Sequence, residues 1–122
     1  MKVATLFLGL MTISLFGAGC GRPLAGSCSS TSQGMVVSCI EYREGYVREQ
    51  VQAGCPTSQT TSFSTSECPP EGRVGQCDIS ISAVGITVAE VVHYYPPNTA
   101  AQAMQQCSQF MTAGKSATFT AN

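Results

Sequence analysis

Six cysteines, Cys28, Cys39, Cys55, Cys68, Cys77 and Cys107, run through most of this 122-residue chain and limit its fold more than any other feature. A seventh, Cys20, stands near the start, directly after the small residues Gly17-Ala18-Gly19. There is no C-x-x-C pair and His93 is the only histidine, so the spacing lacks the ligand pattern of a zinc site. No iron–sulfur or haem-attachment motif is present. The six are therefore expected to form three disulfides, which implies an oxidising compartment. Six cysteines allow fifteen pairings, and spacing alone does not choose among them.

The first residues bear on that compartment. Lys2 precedes an apolar run from Val3 to Phe16, and small residues follow. A cationic start, a short apolar stretch and a small-residue cut site make a secretory signal. The run is shorter than the roughly 20 residues that a membrane-spanning helix needs. A cysteine just after the small residues points to a bacterial lipoprotein, with residues 1–19 as signal peptide and Cys20 as the lipid-bearing residue. Such signals usually carry Leu or a similar aliphatic three places before the cysteine. Gly17 stands there, with Leu15 two places earlier. A plain secretory peptide cut near Ala18 or Gly19 is the rival. Parity favours the lipid, because an unmodified Cys20 would leave an odd thiol in an exported protein.

From Cys20 onward, five basic residues (Arg22, Arg43, Arg48, Arg73, Lys115) face seven acidic ones. No basic cluster exists, which argues against nucleic acid as a partner. Leu24 is the single leucine of this part, and tryptophan is absent. Its apolar content is mostly Val, Ile, Tyr and Phe, types that favour strands.

Residues 20–27, rich in Gly, Pro and Ser, are expected to be a lipid-anchored tether ahead of one cysteine-rich domain over 28–122. Within that domain the sequence is an imperfect duplication: 28–64 and 72–122, joined by a linker at 65–71. Tyr42 precedes Cys55 by thirteen residues, as Tyr94 precedes Cys107. Gln50 and Gln102 hold the same relative place, and Ser62-Phe63-Ser64 matches Thr118-Phe119-Thr120. In the second copy, Cys77, Ile79 and Ile81 alternate with polar residues as a half-buried strand does. Ala83-Val84-Gly85 turns the chain, and Ile86 to Tyr95 completes a hairpin that Pro96-Pro97 stops. Asn98 or Thr99 is placed to cap a helix whose apolar face is Ala100, Ala103, Met104, Cys107 and Met111, ending near Gly114. Ala117 to Ala121 adds an edge strand. In the first copy Met35 to Tyr42 reads as a strand and Glu44 to Gly54 as a helix. The fold class is α+β, a small disulfide-braced domain of two β-β-α(-β) repeats. Symmetry between the copies favours Cys28–Cys55 and Cys77–Cys107, leaving Cys39–Cys68. The alternative joins Cys68 to Cys55.

The set Cys39-Ile40-Glu41-Tyr42, Cys55 with Phe63, Cys68-Pro69, Val74-Gly75-Gln76-Cys77, Tyr94-Tyr95-Pro96 and Cys107 with Thr118-Phe119-Thr120 resembles a group of short cysteine-rich bacterial lipoproteins. These carry a tyrosine-rich strand, an alanine-rich helix with a cysteine, and a Gly-Gly-Thr-aromatic step. Here that step is stretched over Gly114 to Phe119, and the first copy lacks its glycines. The resemblance implies export and anchoring, and brings no catalytic residue with it.

Catalytic chemistry needs a positioned nucleophile, base and oxyanion donors. His93 shares a strand face with Thr87, Ala89 and Val91, which points to a packing or surface role. No G-x-S-x-G elbow, P-loop or dinucleotide fingerprint is present. Glu41 with Glu44, or Glu67 with Glu71, offers an acid–base pair, but nothing in the spacing separates these from solvated charges. Tyr42, Tyr46, Tyr94 and Tyr95 offer faces and hydroxyls for a sugar or peptide shelf, or simply cover the hairpin. The expectation is a lipid-anchored envelope protein without catalytic activity, cofactor or metal. It would sit at the outer membrane where two membranes exist, face the periplasm or exterior, and bind an envelope or extracellular protein or a glycan. A secreted inhibitor or toxin-like effector is the alternative.

Overall fold

Alternation of apolar and polar residues at Cys77 to Ser82 does produce a strand, one of six in a single antiparallel sheet. The computed structural model describes residues 23–122, so the signal segment and Cys20 lie outside the described residues. In chain order the elements are β1 (Gly26–Ser32), β2 (Met35–Tyr42), α1 (Arg48–Gly54), β3 (Thr61–Ser64), β4 (Gly75–Ala83), β5 (Ile86–Tyr94), α2 (Ala100–Ser108) and β6 (Lys115–Ala121). The sheet order is β3-β1-β2-β5-β4-β6.

That order is the duplication made visible. In each copy a hairpin leads to a helix, and the last strand returns to lie beside the first. Cys28 pairs with Ile40 and Phe63, as Cys77 pairs with Val92 and Phe119. The copies meet at β2 and β5, where Ile40 faces Val92. The fold is α+β, with the β-β-α unit occurring twice.

The helices are too short to persist alone, since isolated helices below about 12 residues are marginal. Disulfides fasten them to the sheet: Cys55 at the end of α1 joins Cys28 of β1, and Cys107 of α2 joins Cys77 of β4. The third bond links Cys39 of β2 to Cys68. These are the pairs that symmetry between the copies favours, and Cys55 is not bonded to Cys68. The two equivalent glutamines do equivalent work. Gln102 accepts from the Thr99 N–H at 3.0 Å and Gln50 from the Val47 N–H at 3.3 Å, each reaching back from the third helical position. Thr99 also accepts from the Gln102 N–H, while Val47 has no side-chain acceptor to offer. Under α2 the core comprises Cys77, Ile79, Val92, Tyr94, Ala103 and Cys107, with Phe110 and Phe119 at its margin. Phe119 lies over Gly75 and Phe63 over Gly26, so close that a β-carbon would fall 2.5 and 2.7 Å from the rings. Glycine at both places lets an aromatic ring cover the backbone of the neighbouring strand.

Several boundaries differ from expectation. The helix of the first copy starts at Arg48, not Glu44, because residues 43–44 continue alongside β5. Arg43 donates its N–H to Ala89 O, and Ala89 donates to Glu44 O. Gly45, at φ +84°, then turns the chain away. α2 ends at Ser108, and Met104 and Met111 are exposed, so only Ala103 and Cys107 of the expected apolar face are buried. β6 begins at Lys115 rather than Ala117. The expected tether is shorter, because β1 starts at Gly26 and the Ala25 N–H donates to Tyr42 O.

Both hairpins close through two-residue turns with positive φ at each position, Gln33–Gly34 (53° and 77°) and Val84–Gly85 (51° and 76°). Such turns favour Asn, Asp or Gly at the first position. A left-handed conformation costs an ordinary residue about 1–2 kcal/mol, and Val84 is β-branched and fully exposed, with no packing to offset it. Val84→Asn should therefore stabilise the domain by about 1 kcal/mol, read as a higher urea midpoint at unchanged slope.

Candidate functional site

Because side chains alternate across a sheet, the residues next to the core positions of β2 and β5 point to the face away from the helices. On this open face lie Cys39 and Glu41 of β2 and Val91 and His93 of β5. The connection between the copies crosses above them, held by the Cys39–Cys68 bond. Ser27 Oγ donates to Ser66 O at 2.7 Å and the Tyr95 hydroxyl donates to Pro69 O at 2.6 Å. Arg73 donates to Cys68 O at 2.7 Å and to Pro69 O at 2.9 Å.

Glu41 is the hub beneath this strap and is only 4% exposed. Its Oε1 accepts from Arg43 Nη2 at 2.8 Å, and its Oε2 accepts from the Cys68 N–H at 2.9 Å. Arg43 also reaches Glu67 at 3.2 Å, and Arg73 lies 4.0 Å from Glu41. His93 Nε2 sits 3.3 Å from Glu41 Oε1, near enough for charge interaction but poorly aligned for a hydrogen bond. Neither ring nitrogen of His93 has a hydrogen-bond partner among the described residues. Burial opposes ionisation of Glu41. Contact with His93, the Arg43 guanidinium and the Cys68 N–H outweigh it and hold the carboxyl down at about 2.

Glu41 and His93 occupy equivalent positions in the two copies, each immediately before the matched tyrosines Tyr42 and Tyr94. They meet diagonally across the seam, since Glu41 pairs in register with Val91. Sequence reasoning placed His93 on the correct strand face but missed this pairing. The available signal was their common place before the tyrosines. Neither glutamate pair is an acid–base dyad here: Glu41 turns to Arg43 and His93, Glu67 turns to Arg43, and Glu44 and Glu71 are exposed.

Glu41, Cys68 and His93 bring one donor atom each within 4.8 Å of one another. They do not fit a metal ion. Cysteine ligates a metal as the thiolate, and the Cys68 sulfur is bonded to Cys39. The carboxylate oxygens are already engaged. As a chemical device the cluster neutralises charge and pins the strap, with both central groups shielded from solvent.

The four tyrosines do not form one shelf. Tyr94 belongs to the core under α2, whereas Tyr95 packs with Cys39 and Cys68 on the other face. Tyr42 and Tyr46 meet edge to face with centroids 5.0 Å apart. The Tyr46 hydroxyl donates to Glu90, and burial together with that carboxylate pushes its ionisation far up.

Beside the strap the open face forms a groove of about 710 Å³. Gln76, Asp78, Ile79 and Ser80 of β4, Ala89, Glu90, Val91 and His93 of β5 and Ser116 and Thr118 of β6 line it, together with Glu41, Arg43, Glu67 and Arg73. Its walls set hydrogen-bond donors and acceptors of both charges beside the apolar side chains of Ile79, Ala89 and Val91, a surface suited to a partner that carries polar groups. The chain matches no family model, no curated protein and no solved structure.

Proposed function

We propose that this protein is exported, held at a bacterial cell envelope by lipid on Cys20, and binds a polar partner without catalysis. The observation that carries the reading is the complete pairing of the six cysteines of the folded part. Such pairing persists in an oxidising compartment and leaves Cys20 as the odd sulfur of the chain. The short apolar leader ending in Gly17-Ala18-Gly19 supports the same route, as does the resemblance of the Cys39–Tyr42 and Tyr94–Pro96 runs to short bacterial lipoproteins. Gly21 follows Cys20 in place of the aspartate that commonly retains lipoproteins at an inner membrane, which favours an outer membrane where two exist.

The groove on the open face is the binding surface in this proposal, and a glycan or a polar protein segment of the envelope or exterior is its partner. Glu41 and His93 border the groove but are almost wholly buried, and both carboxylate oxygens of Glu41 are already engaged by Arg43 and the Cys68 N–H, which supports a noncatalytic role. Radiolabelled palmitate should enter the protein expressed in a bacterial host, and Cys20→Ser should abolish the label. Label that survives the substitution would refute the anchor. Unlabelled protein recovered free in the medium would favour the secreted inhibitor or toxin-like effector.

A further inference from the structure

Exposed apolar side chains gather at one end of the sheet. Six large ones are exposed among the described residues: Met35, Val47, Val84, Ile86, Met104 and Met111. Met35 lies at the β1–β2 turn and Met104 on α2. The other four share the opposite end. Val84 and Ile86 form the β4–β5 tip. Met111 lies in the connection to β6, where Gly114 O accepts from the Ser82 N–H beside that tip. Val47 follows Gly45, whose backbone abuts Val88. A concentration of this kind at one end marks an interaction surface rather than scattered exposure.

The chain enters the fold at the same end. Gly26 pairs with Tyr42, and Tyr42 pairs with Glu90. Ile86 lies four residues further toward the tip than Glu90. At about 3.3 Å per residue, the tip extends roughly 13 Å past the point of entry. The six steps from Cys20 to Gly26 span at most about 22 Å when fully stretched. Even then the tip stands within about 9 Å of the plane of Cys20, and any slack in the tether closes that distance.

Resting on the proposal that Cys20 bears lipid, we infer that the β4–β5 tip, Val84 and Ile86 foremost, docks into the surface of the bilayer that holds the chain's own acyl groups. Val47 and Met111 flank the contact. The charges of this end are mixed, Arg48 and Lys115 against Glu44, Glu49 and Glu90, so apolar insertion and not attraction to anionic lipid drives the docking. The turn itself supplies an independent argument. Its counterpart at the far end carries polar Gln33, while this one holds a β-branched valine in the left-handed region, fully in solvent. Strain of that sort is retained where the side chain has work to do. Membrane insertion is work that valine does and asparagine does not.

The chain has no tryptophan, so a single one reports its surroundings without interference. Ile86→Trp and Met35→Trp, both at exposed sites, are introduced separately into the full acylated protein, with retention of three disulfides checked by non-reducing mass analysis. Each is reconstituted in phosphatidylethanolamine–phosphatidylglycerol vesicles whose acyl chains carry bromine. The Ile86→Trp emission should shift to the blue and lose intensity to bromine quenching, while Met35→Trp emits as it does in water. Adding Val84→Asp to the Ile86→Trp chain should reverse both changes. Acylated, vesicle-bound Ile86→Trp that emits like Met35→Trp would overturn the docking alone. Starting protein without acyl mass on Cys20 would overturn the anchor, and the docking with it.

Discussion

Reduction of the three disulfides should unfold the domain at neutral pH and room temperature. The bonds close segments with sequence separations of 27, 29 and 30 residues. Loops of that size are each stabilising by about 3.5 kcal/mol in the chain-entropy account. Three together approach roughly 10 kcal/mol, within the 5–15 kcal/mol that a whole domain has to spare. Cys28–Cys55 and Cys39–Cys68 overlap in sequence, which makes their effects non-additive. The core leaves little to replace them. Cys39, Cys55, Cys68, Cys77 and Cys107 are the largest side chains below 2% exposure among the described residues, with no leucine or phenylalanine beside them. Far-UV circular dichroism with and without reductant tests this, and a reduced chain that keeps the native spectrum and a cooperative urea transition would contradict it. Replacing the Cys77–Cys107 pair alone by alanines should lower stability by about 2–5 kcal/mol, because α2 then has only Ala103 buried against the sheet.

Glu41→Gln should be the most damaging single substitution outside the cysteines. It keeps the shape of the side chain and removes the charge that Arg43 and His93 surround, and breaking a buried pair from one side costs about 3–5 kcal/mol. The same residue sets an acid dependence. Its folded-state value of about 2 lies below the 4.5 of the unfolded chain. The unfolded state therefore binds the proton first as pH falls. The contribution of Glu41, at most about 3 kcal/mol, is complete above 4.5 and is lost progressively down to about 2. Urea midpoints measured across that interval should fall steeply for the native chain and more shallowly for Glu41→Gln. Parallel curves would assign the acid sensitivity to another group.

Much of the fold was legible because its signals are local. Alternation at Cys77 to Ser82 and the density of β-branched residues from Ile86 identified the hairpin. Repetition carried the rest: the shared Tyr-to-Cys interval and the two glutamines pointed to equivalent helices and, through them, to equivalent bridges. Legibility failed where contacts depend on register between distant strands. The shared place of Glu41 and His93 before the matched tyrosines marks them as equivalent but does not announce their contact, which exists only once β2 and β5 align Ile40 with Val92. The exposed methionines of the α2 region misled for a related reason. Spacing puts Met104 and Met111 with Ala103 and Cys107, but two turns of helix over the sheet bury only the latter two. The start of α1 was hidden by Arg43 and Glu44, helix-compatible residues that tertiary pairing with Ala89 holds extended.

The arrangement of the bridges has one more outcome. Among the described residues every cross-link lies within 28–68 or within 77–107, so none of them ties the first copy to the second. At the seam, strand pairing, the Ile40–Val92 contact and the Glu41–His93 pair do the joining, and the peptide chain from Pro69 to Arg73 provides the only covalent continuity. A single proteolytic nick there would turn one chain into a noncovalent pair of fragments, each braced by its own sulfur bonds, whose integrity then depends on dilution.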